Sequence, residues 1–125
     1  MRRTLPQPPH KTTVSIGDDK ERLACAYLQG SGLRLVARNY RCRLGEIDLI
    51  MRDSDTLAFV EVRYRASTRF GTPAETVGPK KRQRLAAAAA HYLARHPTTL
   101  ACRFDVLAIT GTDAIDWIRN AFNAH

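Results

Sequence analysis

Apolar residues recur every three or four positions in two stretches of the chain, which is the spacing of one helix face. The first stretch spans residues 18–29, and its apolar stripe consists of Leu23, Ala24, Tyr27 and Leu28. The second begins at Pro79 and ends before Pro97, and its stripe consists of Leu85, Ala89, Tyr92 and Leu93. Proline suits the first position of a helix, whereas the residue before a proline disfavours helical conformation. The pattern therefore predicts two helices with these limits.

Between and after the helices, the pattern is typical of strands. Residues 33–41, 45–52, 56–65 and 103–110 are predicted to be strands, and a turn at residues 53–55 joins the second predicted strand to the third. Residues 66–77 predict a loop, and the type of the element at residues 115–122 stays open. Three consecutive strands joined by short turns must be antiparallel, whereas a strand after a helix can return as a crossover. The predicted fold class is α/β, a mixed sheet with helices on its faces, in the order α-β-β-β-α-β.

The length and termini of the chain set its domain organisation. A chain of 125 residues is typical of one domain. Residues 1–16 hold three prolines without periodicity, which predicts a disordered tail before a single domain at 17–125. The first residues lack the apolar stretch of a signal peptide, and no later run is long enough to cross a membrane. We therefore expect a cytoplasmic protein.

The charge and the cysteines narrow the functional classes. The formal net charge of +8 favours an anionic partner, nucleic acid first and an acidic membrane surface second. A basic protein without such a partner remains an alternative. The three cysteines are far apart and form no CxxC pair, which argues against a zinc knuckle and a disulfide framework.

Charged residues interrupt two strands that are otherwise apolar. A two-residue turn at Ser54-Asp55 places Asp48 opposite Glu61 on one face of the sheet, and Glu46 opposite Arg63. Like charges directly opposite are destabilising, and burial raises the cost.

Two explanations of the paired acids are possible. A hard divalent cation such as Mg²⁺ would reverse the sign of the interaction, because it takes carboxylate oxygens as ligands. The alternative is that Arg43, Arg63 or Arg65 pairs with the acids for a structural purpose. For the set of charges as a whole we favour the metal.

The same residues resemble a known motif. Asp48, a short hairpin and Glu61-Val62-Arg63 resemble the PD-(D/E)xK nuclease motif. A wider set of segments, from about residue 17 to the C-terminus, resembles the YraN family of small bacterial proteins. These segments are Ala37-Arg38-Asn39-Tyr40, Gly45-Glu46-Ile47-Asp48-Leu49-Ile50, Phe59-Val60-Glu61-Val62-Arg63, Tyr92-Leu93 and Arg103-Phe104-Asp105-Val106.

That family is regarded as similar to Holliday-junction resolvases. The resemblance implies a restriction-endonuclease-like fold and, by analogy, a metal-dependent endonuclease acting on structured or branched DNA. Resolvases cut two strands symmetrically, which favours a homodimer.

The resemblance also implies roles for individual residues. Asp48 and Glu61 match the ligands of Mg²⁺ or Mn²⁺, and Glu21 matches an acid that the first helix of resolvase-like proteins contributes to the site. A favourable charge near the helix N-terminus explains Glu21 equally well. Arg63 stands where the motif has lysine; arginine cannot accept a proton, but it can clamp a phosphate.

Further cations crowd the start of the second helix. Lys80, Lys81, Arg82 and Arg84 oppose the helix dipole there, so contact with nucleic-acid phosphates explains them better than helix stability does. With Arg65 they form the predicted nucleic-acid-binding set, although a solvated charged face remains an alternative. Gln83 could line the site from the same helix.

Two other residue types receive less functional weight. Asp105 is predicted to be a structural acid or the partner of Arg103, and His91 and His96 receive no role because their spacing does not match the acids. Two functions besides the nuclease stay open. One is a nucleic-acid-binding module that keeps the fold without cutting, and the other is a protein-interaction scaffold, which explains the charge but not the acids.

Overall fold

The computed structural model describes residues 13–66, 77–111 and 113–123. In chain order their helices and strands are α1 (Thr13–Gly30), β1 (Arg34–Cys42), β2 (Gly45–Asp53), β3 (Thr56–Arg65), α2 (Pro79–Arg95), β4 (Ala101–Thr110) and β5 (Ala114–Phe122). Most predicted limits agree within two residues. The element of open type is the strand β5. Most of the predicted loop, residues 67–76, lies outside the described residues.

The five strands form one mixed sheet in the order β1-β2-β3-β4-β5. Strands β1 to β3 pair antiparallel, β4 returns parallel to β3 after α2, and β5 pairs antiparallel with β4. This arrangement confirms the predicted α/β class and is consistent with the α-β-β-β-α-β order of restriction-endonuclease-like proteins, to which β5 adds an edge strand.

Each face of the sheet buries its own apolar layer under one helix. Helix α1 packs Ala24, Cys25 and Leu28 against alternate residues of the central strands: Leu49, Met51, Ala58, Val60, Leu107 and Ile109. Helix α2 packs Leu85, Ala88, Ala89 and Tyr92 on the opposite face, against Ile50, Leu57, Phe59, Phe104 and Val106. Strand β3 is therefore covered on both sides, which is why its sequence is apolar on both faces.

Helix α1 begins at Thr13, five residues before its predicted start. Residues 13–16, which the sequence assigned to the N-terminal tail, are therefore helical, while residues 1–12 lie outside the described part. β-Branched residues and serine are weak helix formers, so propensity gave no signal for this extra turn. Because the helix begins at Thr13, the first turn of α1 holds no acidic residue. Among the described residues, no helix is long and apolar enough to span a membrane.

A buried acid ties β5 to the sheet. The carboxylate of Asp105, fully buried on β4, accepts hydrogen bonds from Arg103 Nε (2.9 Å), Trp117 Nε1 (3.0 Å) and the backbone N–H of Asn120 (2.9 Å). The guanidinium of Arg103 also donates to Asp53 at 2.8 Å. The predicted pairing of Asp105 with Arg103 is thus confirmed, and the role of this acid is structural.

Candidate active site at the fork of β2 and β3

Strands β2 and β3 separate at the two acids. Their paired residues run from Asp53–Thr56 at the turn to Leu49–Val60, which is the predicted register. The next position along would pair Asp48 with Glu61. There Asp48 Oδ2 accepts a hydrogen bond from the backbone N–H of Val62 at 2.8 Å. A side chain thus takes the place of a backbone acceptor, and the strands fork around it.

Strand β1 is irregular at the same level. Its pairs with β2 include Arg38–Leu49 and Tyr40–Ile47, and between them Asn39 has a positive φ of 51°. Strict alternation would place Ile47 on the α1 side of the sheet, whereas Ile47 packs in the α2 layer. The change of side occurs at Asp48, whose side chain interacts with Glu21 from α1 and with Glu61, a neighbour of α2.

The Glu61 side chain is the most enclosed of the predicted site acids, with 3% of the residue exposed. Burial and the neighbouring Asp48 carboxylate raise the pKa of Glu61 to about 8, although Lys81 opposes the shift. Two cations lie close to Glu61 Oε2: Lys81 Nζ at 3.4 Å and an Arg63 guanidinium nitrogen at 3.7 Å. An acid that is easier to protonate than usual therefore lies between two positive side chains.

Helix α1 supplies the third carboxylate. Burial first, and then Asp48, raise the pKa of Glu21 to about 7, and Asn39 is a further hydrogen-bonding neighbour that lowers it. Oxygen Oε1 of Glu21 is buried without a hydrogen-bond partner in the described part of the chain. Because α1 begins at Thr13, Glu21 lies in the third turn, where the helix dipole no longer stabilises a negative charge. The alternative explanation of Glu21 by the helix N-terminus therefore fails.

The three carboxylates have the chemistry of a hard-cation site. All their donor atoms are oxygens. Glu21 and Glu61 both interact with Asp48, and one buried oxygen of Glu21 has no hydrogen-bond partner among the described residues. Within the described ranges, no three side chains of the usual ligand types are already arranged around one metal position. Mg²⁺ commonly takes only one or two protein carboxylates, with water and substrate phosphate as the other ligands. The residues present therefore fit such an ion.

The cations predicted to bind nucleic acid are distributed differently. Lys81 joins the carboxylates, whereas Lys80, Arg84 and Arg65 are exposed. The Arg82 side chain makes contacts within the protein: its Nε donates to the carbonyl of Val77 at 2.9 Å, and its guanidinium lies 5.5 Å from the ring centre of Phe122. Gln83 is exposed.

The predicted pairing of Glu46 with Arg63 lies beyond the paired residues of β2 and β3. Glu46 instead forms an ion pair with Arg41 across β1 and β2, at 3.3 Å. Arg63 lies beside Glu61 on its own strand. The arginine at the motif's lysine position thus contacts the acid of the motif itself.

Sequence reasoning missed two neighbours of the carboxylates. The sequence places Lys81 in the predicted nucleic-acid-binding set, and nothing in its spacing indicates that α2 brings it to Glu61. Asn39 had a weak signal, because asparagine tolerates positive φ better than most residues, and in a strand this indicates an irregularity.

A mixed five-stranded sheet with one helix on each face defines an α/β protein whose arrangement is consistent with that of restriction-endonuclease-like proteins. The model of the uncharacterised protein family UPF0102 matches residues 20–109, and the chain belongs to this family. UPF0102 is the YraN family, so the resemblance seen in the sequence is confirmed.

Relatives match over nearly the whole chain. A UPF0102 protein of Nitrosococcus oceani is 55% identical over 85% of this chain and 90% of its own length. A UPF0102 protein of Ralstonia nicotianae is 50% identical over 98% and 97%. A third, of Pseudomonas fluorescens, is 44% identical over 93% and 99%. These names state a family and no activity.

Proposed function

We propose that this protein is a metal-dependent endonuclease that hydrolyses phosphodiester bonds in structured or branched DNA. The observation that carries the proposal is the meeting of Glu21, Asp48 and Glu61 at the fork of β2 and β3. Carboxylates that approach one another in a buried place are unfavourable unless protons or cations compensate them. A fold gains nothing in stability from such an arrangement, so a function explains it better.

The acids would hold Mg²⁺ or Mn²⁺ through Asp48 and Glu61, and Glu21 would offer its unsatisfied oxygen. When bound, such a cation lowers the pKa of a water molecule and polarises the phosphodiester. The protein supplies the ligands on a rigid sheet between two apolar layers, so their positions are fixed before the substrate arrives.

Two cations of the chain would act on the phosphate. The guanidinium group of Arg63 would stabilise the negative charge that develops on the phosphate oxygens. Lys81 lies at 3.4 Å from Glu61 and its side chain is 30% exposed, so its ammonium group can reach a substrate at the mouth of the site. Lysine, unlike arginine, can also lose a proton. We therefore assign the role of the motif's lysine to Lys81.

Cleavage assays test the proposal directly. The full chain is incubated with four-way, nicked, single-stranded and linear duplex DNA in Mg²⁺, Mn²⁺ or EDTA. We expect products from branched DNA with either cation, none in EDTA, and none with Asp48→Asn. Symmetric cutting of two strands would need two sites, which favours a homodimer. Folded protein that leaves every substrate intact in Mn²⁺ would refute the proposal.

One observation favours a second function, a nucleic-acid-binding module that does not cut. Arg63 and Lys81 both lie within 4 Å of Glu61, so the protein partly offsets the charge of this acid without a metal ion. This function predicts salt-dependent DNA binding without cleavage. It also predicts that Asp48→Asn binds DNA as well as wild type or better, because one negative charge near the phosphates is gone.

A further inference from the structure

The turn between β1 and β2 is a tight turn whose side chains are exposed. Cys42 pairs with Gly45, so only Arg43 and Leu44 form the turn. Arg43 is exposed, and Leu44 is 53% exposed, the highest exposure among the large hydrophobic residues in the described part. Neither residue has a positive φ, so the turn does not require glycine, asparagine or aspartate at these positions.

Helix α2 meets this turn at Gly45. A Cβ atom at Gly45 would lie 2.5 Å from the carbonyl oxygen of Arg84, so only glycine permits this close approach. The contact forms one wall of a cleft of about 480 Å³, lined by residues 41 to 46 and Arg84. The cleft is therefore a fixed feature, formed by a strand turn and a helix rather than by one mobile side chain.

The cleft is strongly basic. Its lining contains Arg41, Arg43 and Arg84 against one acid, Glu46, which is already paired with Arg41 at 3.3 Å. Arg43 and Arg84 form no ion pair with any residue that the structure describes. Two arginines in one concave place suit an anion that accepts several hydrogen bonds, such as a phosphate.

The cleft is adjacent to the carboxylates through two separate elements. On β2, Glu46 precedes Asp48 by two residues, which is about 7 Å at the usual rise of a strand. On α2, Arg84 follows Lys81 by three residues, which is about 4.5 Å along the axis and on the same side of the helix. Both separations are short on the scale of a DNA strand, so one strand can contact the carboxylates and the cleft together.

We propose that this cleft binds a DNA backbone phosphate close to the one at the carboxylates on the same strand, with Arg43 and Arg84 as its ligands. The inference rests on the proposed function, because it takes DNA as the ligand and the fork as the place of the scissile phosphate. The cleft would fix the path of the strand, and with it the position of the cut.

The test compares two double variants of equal charge. Arg43→Ala/Arg84→Ala removes the cleft arginines, and Arg34→Ala/Arg95→Ala removes two exposed arginines at the far end of β1 and in the last turn of α2. Each lowers the formal net charge from +8 to +6, because two arginines are lost. Affinity for a labelled four-way junction is measured in EDTA at several salt concentrations, with thermal unfolding as the folding control.

The cleft variant should bind at least about tenfold more weakly than wild type, and its salt slope should be flatter by about 0.9, the value for one lost phosphate contact. The control variant should change affinity less than about threefold. Each single substitution, Arg43→Ala or Arg84→Ala, should remove about half of the slope change, which covers the case of a double variant that folds poorly.

Equal behaviour of the two double variants would overturn the inference, and so would a wild type that binds no DNA. The outcome is separable from that of the proposed function. A wild type that does not cleave, but whose binding depends on Arg43 and Arg84, would remove the catalytic proposal and leave the cleft. A wild type that cleaves, and whose cleft variant binds like the control, would support the catalytic proposal and refute the cleft.

Discussion

Glu61 is the residue on which the two cations of the site converge. Arg63 approaches its carboxylate from the same strand and Lys81 from α2, at 3.7 and 3.4 Å. The two cations differ in chemistry, because arginine is a permanent planar donor and lysine a compact charge that can give up its proton. Substitutions at Arg63 and Lys81 can therefore distinguish the roles of the two side chains.

Removal of Lys81 should cost more activity than a conservative change at Arg63. We expect Lys81→Ala to lower the single-turnover cleavage rate by about two to three orders of magnitude, the scale of one lost electrostatic stabiliser. Arg63→Lys should retain measurable cleavage, because the positive charge stays. The charge-matched control is Lys80→Ala, one position earlier and exposed. Equal rates for Lys81→Ala and Lys80→Ala would show that Lys81 is only one of several surface charges.

The raised pKa values of Glu21 and Glu61 predict an unusual dependence of stability on pH. These values are about 7 and about 8, above the ordinary 4.5 of the same group, so the folded state binds more protons than the unfolded chain between pH 4.5 and 8. Stability then falls as pH rises through this range. In EDTA, the melting temperature should be lower at pH 8.5 than at pH 5.5.

Divalent cations provide the matching control. A cation that takes the place of the protons should raise the melting temperature more at pH 8.5 than at pH 5.5. Asp48→Asn should flatten the pH dependence in part, since burial, the larger cause of both raised pKa values, remains while the Asp48 charge is removed. A melting temperature that rises steadily from pH 5.5 to 8.5 in EDTA would contradict the described proximity of the acids.

At the scale of elements, the fork was predictable in part. A two-residue turn at Ser54-Asp55 fixes the register of β2 and β3, and through it the approach of Asp48 to Glu61. The change of side at Ile47 was not predictable, because it depends on the irregular backbone of Asn39 in the neighbouring strand. The position of Lys81 depends on how α2 crosses the sheet, which no local pattern encodes.

The type of β5 was hidden for a similar reason. Its pairing with β4 shifts register between Phe104 and Val106, and Asn120 has a positive φ of 52°. At this irregularity the carboxylate of Asp105 accepts a hydrogen bond from the N–H of Asn120, so a buried side chain serves as the acceptor for this backbone group. The alternation of apolar and polar residues is broken there, and the sequence alone did not show a strand.

Loss of the Asp105 carboxylate should therefore loosen β5. We expect Asp105→Ala to lower the free energy of unfolding by about 2–4 kcal/mol, because it leaves the N–H donors of Trp117 and Asn120 without their acceptor and removes one of the two carboxylates that pair with Arg103. Chemical denaturation measures this. Asp113→Asn is the control: it removes the surface ion pair with Lys20, asparagine tolerates the positive φ of 71° at this position, and the change should cost less than about 1 kcal/mol. Similar costs for the two variants would show that Asp105 does not hold the strand.

At the scale of the whole molecule, a protein of net positive charge holds a local group of acidic side chains. The chain carries a formal net charge of +8, yet three of its carboxylates meet at the fork of the two central strands. A positive field attracts a nucleic acid from a distance, and the acids would repel its phosphates on arrival unless a cation lies between them. The two properties are compatible if the fork binds a divalent cation.

Calorimetric titration of Mn²⁺ at pH 8 tests that claim without requiring catalysis. Wild type should bind Mn²⁺, and Asp48→Asn should weaken the binding at least about tenfold, because it removes one negative charge from the ligands. The control Asp116→Asn removes an exposed acid of β5 and should bind like wild type. A wild type that binds no Mn²⁺, or an Asp48→Asn variant that binds it equally well, would contradict a cation site at the fork of β2 and β3.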